Sequence, residues 1–91
     1  MLFRWSDEKN EKLKQERNVS FEDIMIAYES GRVLDVLENP SGNFPGQKIL
    51  VVEIEKYAYV VPFVEEEDGW FLKTVYPSRK MTKIYLEVDD E

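Results

Sequence analysis

Alternating apolar runs joined by tight turns in the middle of the chain restrict its fold more than any other feature. In residues 48–55, Leu50, Val52 and Ile54 fall on one face and Glu53 and Glu55 on the other, the period-two pattern of a half-buried strand. A second run at 57–64 follows a tight turn at Glu55-Lys56. Asp68-Gly69 is a hairpin signal leading into a third run at 70–76. An earlier strand at 32–38, read from Val33, Leu34, Val36 and Leu37, precedes NPSGNFPG at 39–46, where prolines and glycines make a loop. These runs predict a four-stranded antiparallel meander. Pro62 lies inside the run at 57–64 and, having no N–H to give a ladder, predicts an edge position or a bulge there.

The N-terminal third predicts a short strand and two helices. Leu2 to Trp5 is apolar apart from Arg4. Ser6 caps a helix with Asp7 and Glu8 in its first turn, the end where the dipole favours acid. That helix runs to about Arg17. Leu13 is its only large apolar residue, so it lies on the surface of the fold or across a partner, and Asn18 ends it in a left-handed conformation. Val19 and Ile24 occupy hydrophobic-staple positions around Ser20 as the next cap, with Asp23 as the acid of a capping box. Phe21, Ile24, Met25 and Tyr28 then share one helical face, and Gly31 is the stop. At the other end Pro77-Ser78 breaks the last strand. Ser78 or Thr82 opens a terminal helix that docks through Ile84, Tyr85 and Leu86. The fold class is α+β, in a single domain over 1–91.

Cysteine and histidine are both absent from the 91 residues. Disulfides, thiolate nucleophiles, Ser-His-Asp arrangements and ordinary zinc sites are therefore excluded. Chemistry is left to Lys, Arg, Tyr and carboxylates, with no cofactor and no metal expected. Glu53 with Glu55, and the run Glu65-Glu66-Glu67-Asp68, lack the spacing of a calcium loop and read as solvated surface. The formal charge of -7 argues against simple non-specific binding of polyanions. Against that background residues 69–86 carry Lys73, Arg79, Lys80 and Lys83 and no carboxylate. Such a stretch, passing from strand to helix, is either an anion or phosphate site or a solvated edge strand and helix. No apolar run approaches membrane-spanning length and no signal peptide is seen, so a soluble cytoplasmic protein is expected.

Phe3-Arg4-Trp5, Asp7-Glu8-Lys9-Asn10 and Val19-Ser20-Phe21-Glu22-Asp23 together resemble the opening of the BrnT-like toxins of bacterial toxin–antitoxin pairs. That opening typically reads F-x-W, D-x-x-K-N, then K-H-G-V-S-F-E-E. Tyr76-Pro77-Ser78-Arg79-Lys80-Met81-Thr82 is similar to the strand-to-helix junction of the same family. Between Arg32 and Trp70 only the pattern of strands matches. Where members have Lys-His-Gly before the second helix, this chain has Glu16-Arg17-Asn18. The resemblance implies a RelE-like α+β fold and a toxin that inhibits translation by cutting RNA without a metal, or by binding RNA or the ribosome. It also implies a ribbon-helix-helix antitoxin as partner, forming a hetero-oligomer.

RNA cleavage through the ribose 2′-hydroxyl needs a proton acceptor, cations for the phosphorane and a proton for the leaving oxygen. Carried onto this chain, Arg79 and Lys80 hold phosphate and transition-state charge, and Lys73 is the candidate for proton transfer. Arg17 stands at the family's histidine position and adds RNA-binding charge with Lys83. Tyr76 and Tyr85 are candidates for base stacking or proton donation, or are core. The alternative is a non-catalytic protein-interaction module that keeps the fold without ribonuclease activity.

Overall fold

Along the chain run β1 (Leu2–Arg4), α1 (Asp7–Arg17), α2 (Phe21–Glu29), β2 (Val33–Glu38), β3 (Gln47–Ile54), β4 (Tyr57–Glu65), β5 (Gly69–Leu72), β6 (Tyr76–Pro77) and α3 (Arg79–Tyr85) in the computed structural model, which describes residues 2–38 and 47–87. The loop predicted at 39–46 lies outside the described residues. The class is α+β, as the sequence predicts. β2, β3, β4 and β5 form the expected antiparallel meander. β1 adds to its far side parallel to β5, which makes the sheet mixed, in the order β1-β5-β4-β3-β2.

The expected strand over 70–76 is in fact two. β5 stops at Leu72 opposite Phe63, and β6 resumes with Tyr76 opposite Val60. Three residues of this segment, 73–75, thus face two of β4, Val61 and Pro62, the count that defines a bulge. Of the two expectations for Pro62, the edge position is corrected and a bulge is found in the pairing beside it. β4 is an interior strand, not an edge, and the bulge is carried by its neighbour. The Pro62 carbonyl accepts the Lys73 N–H at 2.8 Å, so the missing Pro62 N–H would have pointed at the same bulged segment, where regular pairing has already lapsed.

Both faces of the sheet are covered. On one, Leu50, Val52, Val61, Phe63, Leu72 and Val75 pack with Leu13 of α1 and Phe21, Ile24 and Ala27 of α2. On the other, Val51, Ala58 and Val60 are buried outside that cluster. α3 covers this second face: it docks chiefly on β4, and its Tyr85 reaches Asp35 of β2, which stands opposite Val51. Two-sided cover explains why Leu50, Val51 and Val52 are all buried instead of alternating with solvent.

Local signals act as read at the helix ends. Ser20 and Asp23 exchange side-chain to backbone bonds of 2.9 and 3.2 Å, a complete capping box, with Val19 and Ile24 buried beside it. After α2, Gly31 takes φ 80°, and the Gly31 and Arg32 N–H groups donate to Tyr28 and Ala27 carbonyls, the paired bonds of a Schellman ending. Asn18 is left-handed at φ 55°. Gly69 has a different use. A Cβ there would lie 1.8 Å from the Leu2 carbonyl oxygen, so a glycine is what lets β1 lie against β5.

Candidate nucleic-acid interface

Ser78, not Thr82, opens α3: its hydroxyl accepts the Met81 N–H at 3.1 Å. Thr82 is buried and holds the helix to the sheet. Its hydroxyl oxygen accepts the Ala58 N–H at 2.9 Å and donates to the Ser78 carbonyl at 2.8 Å, while the Ser78 N–H donates to the Ala58 carbonyl at 2.9 Å. Where β6 ends, the start of α3 therefore takes up the backbone groups of Ala58 in β4. With Thr82 and Tyr85 turned inward, Arg79, Lys80 and Lys83 are left exposed on the outer side.

This arrangement breaks the usual rules for helix charge. Arg79 and Lys80 occupy the first turn, where the dipole disfavours cations; no acid accompanies them. Lys83 follows at the three- and four-residue spacings that make side chains neighbours and like charges repel. None of Lys73, Arg79, Lys80 and Lys83 is in an ion pair among the described residues. Three cations on a helix of seven residues, with no ion pair among the described residues, are a local conflict of the kind found at functional sites.

Lys73 begins the bulge. Its Nζ lies 5.4 Å from the centre of the Phe71 ring, and Arg4 of β1 lies over the same ring at 5.5 Å. Tyr76 stands opposite Val60, on the α3 side of the sheet, and is 39% exposed. Opposite residues share a face and alternate residues return to it, so Arg4, Phe71, Lys73 and Tyr76 all lie on that side. The row leads from β1 toward the start of α3.

Arg17 and Tyr85 are engaged by the fold. The Arg17 guanidinium donates to the Val75 carbonyl at 2.7 Å, fastening the end of α1 to the bulge between Lys73 and Tyr76. The Tyr85 hydroxyl donates to Asp35 Oδ2 at 2.5 Å. That bond, with burial and the Asp35 charge behind it, holds the phenol above the usual tyrosine range. The structure thus brings Lys73, Tyr76, Arg79 and Lys80 along one line with Lys83 a turn further, ties Arg17 to the line from behind, and sets Tyr85 apart across the sheet.

Of the N-terminal residues that resemble the toxin opening, Phe3, Trp5 and Asn10 are engaged in packing. Phe3 meets Tyr28 edge-on at 5.0 Å and Trp5 stacks on Phe21 at 5.5 Å. Asn10 is buried, accepting the Phe21 N–H at 2.8 Å and donating to Glu22 at 2.9 Å. Arg4 and Phe71 are the residues sequence reasoning missed at the interface. Alternation turns Arg4 outward between Phe3 and Trp5, but nothing local reveals that β1 lies beside β5.

Compared with protein-family models, curated proteins and solved structures, the chain gives no match. No described helix is long and apolar enough to cross a membrane.

Proposed function

We propose that this chain is a RelE-like, BrnT-like toxin of a bacterial toxin–antitoxin pair, acting on RNA in the cytoplasm through the line Lys73, Tyr76, Arg79, Lys80 and Lys83. The observation that carries the proposal is the exposed basic segment, without an ion pair among the described residues and with cations in the first turn of α3, in a chain of net charge -7. A phosphate beside Arg79 and Lys80 relieves their mutual repulsion, and the guanidinium suits its oxygens bidentately.

In cleavage, the 2′-oxygen attacks the adjacent phosphorus as its proton passes to the Lys73 amine, Arg79 and Lys80 hold the charge of the phosphorane, and the 5′-oxygen leaves with a proton taken from solvent water. Lys73 lies opposite Pro62, and Ser78 is bonded to Ala58. At the rise of a strand these points are about 13 Å apart, a gap that two long side chains and a phosphate between them can bridge. A ribbon-helix-helix antitoxin covering this line would neutralise it.

A second reading, a non-catalytic interaction module, is favoured by the engagement of Arg17 and Tyr85 in the fold, which leaves Lys73 as the one candidate base. The test is expression in a bacterium without any antitoxin. Wild type is expected to arrest growth and fragment RNA, and Arg79→Ala with Lys80→Ala to abolish both while shifting stability by no more than ~0.5 kcal/mol. Lys9→Ala with Lys12→Ala, on α1 among carboxylates, should leave toxicity intact. Harmless wild-type expression with intact RNA would overturn the toxin reading in favour of the interaction module.

A further inference from the structure

We infer that the sheet face beside α3 grips a single-stranded nucleic acid by stacking bases on Phe71 and Tyr76, with Lys73 on the phosphate between them. The inference rests on the RNA reading above and adds the form of nucleic acid that binds and the rings that hold it.

Phe71 is half-buried on an open part of the sheet, with Val64 opposite it. Two cations, Arg4 and Lys73, already lie over its ring at 5.5 and 5.4 Å. A ring with cations around it offers a base a π-face and the neighbouring phosphates a charge, the combination by which single-strand binders hold their ligand. Arg4 is kept in place by Glu66 at 2.8 Å, whereas Lys73 has no ion pair among the described residues and is free to turn from the ring to a phosphate.

Spacing selects the single strand. Phe71 stands opposite Val64 and Tyr76 opposite Val60, about 13 Å apart at the rise of a strand. Stacked bases in a duplex follow one another at about 3.4 Å and hide their faces. Two rings so far apart can each receive a base only from a splayed strand. Charge favours a polyanion here, because Lys73, Arg79 and Lys80, none in an ion pair among the described residues, line this face of an otherwise acidic chain.

Binding of a short fluorescein-labelled single-stranded RNA of mixed sequence tests this by anisotropy, beside its annealed duplex and an abasic strand with the same phosphates. Wild type should prefer the base-bearing single strand to both. Phe71→Leu should weaken that strand roughly 5- to 100-fold and leave the abasic strand unchanged. Arg79→Ala with Lys80→Ala should weaken both strands alike. Phe71→Trp keeps an aromatic ring should the leucine variant melt early; it should bind as wild type, with indole emission quenched by RNA beyond the change given by Trp5 and Trp70 in wild type. If Phe71→Leu stays folded and binds the base-bearing strand as wild type does, or Phe71→Trp shows no added quenching, base stacking is overturned and the basic-patch reading stands. A preference for duplex likewise overturns it. Failure of wild type to bind any RNA overturns both.

Discussion

Asn10 joins two helices that have no long apolar seam between them. α1 buries only Leu13 and Asn10, so its position depends on the two bonds that the amide makes to Phe21 and Glu22. Asn10→Ala leaves the Phe21 N–H without its partner in a buried place. The expected cost is about 2 kcal/mol, read as a lower midpoint in denaturant melts. Part of this effect titrates. The Asn10 amide is the main reason that the Glu22 carboxyl is held below the usual glutamate range. A carboxyl with a depressed folded pKa contributes stability above its unfolded value and loses it as pH falls through the folded one. The gap between wild type and Asn10→Ala should therefore narrow on going from neutral pH to about pH 3. It should not close, because the bond to the Phe21 N–H does not titrate. A gap independent of pH would show that Glu22 contributes nothing to the joint.

The two hairpin turns show how far an element can be read from its letters. At Glu55-Lys56 both residues take positive φ, 52° and 67°, between the paired Ile54 and Tyr57, the form that ordinarily selects Asn-Gly. Strand alternation on either side located this turn, since its own residues do not suit it. Glu55→Asn with Lys56→Gly should stabilise the protein by about 1 kcal/mol, seen as a raised melting temperature with RNA binding unchanged. No gain would mean that the Lys56 N–H to Glu53 bond of 3.1 Å already offsets the strain. Asp68-Gly69 does mark a hairpin, but the glycine answers to Leu2 across the sheet. Helices were legible from caps and periodicity, and the meander from alternation, because both signals are local. The parallel pairing of β1 with β5 was not, because it is decided by contacts between distant parts of the chain, and Pro62 signalled a bulge without showing that the neighbouring segment carries it. The same division runs through the site: its contiguous basic segment could be read directly, whereas the Arg4 contact with Phe71 and the Arg17 bond to Val75 required the fold.

On the scale of the whole molecule, the charges are arranged so that range decides what a polyanion meets. The protein measures 44 × 29 × 24 Å and carries -7 overall, while the cation-bearing line occupies one part of its surface. At about 10 mM salt the screening length is about 30 Å, so an approaching RNA senses the whole negative molecule and is slowed. Near 0.15 M it is about 8 Å, and the strand senses only the groups it is about to touch. Association of a short single-stranded RNA, followed by stopped-flow anisotropy, should therefore quicken as salt rises from the lowest concentrations. Equilibrium affinity at higher salt should then fall as counterions compete for the phosphates. With Lys73, Arg79, Lys80 and Lys83 as the contacting cations, the slope of log affinity against log salt should be no steeper than about -3. A rate that falls monotonically from the lowest salt, with a slope near -6, would mean that RNA is held by cations outside residues 69–86 and that this segment is not the principal interface.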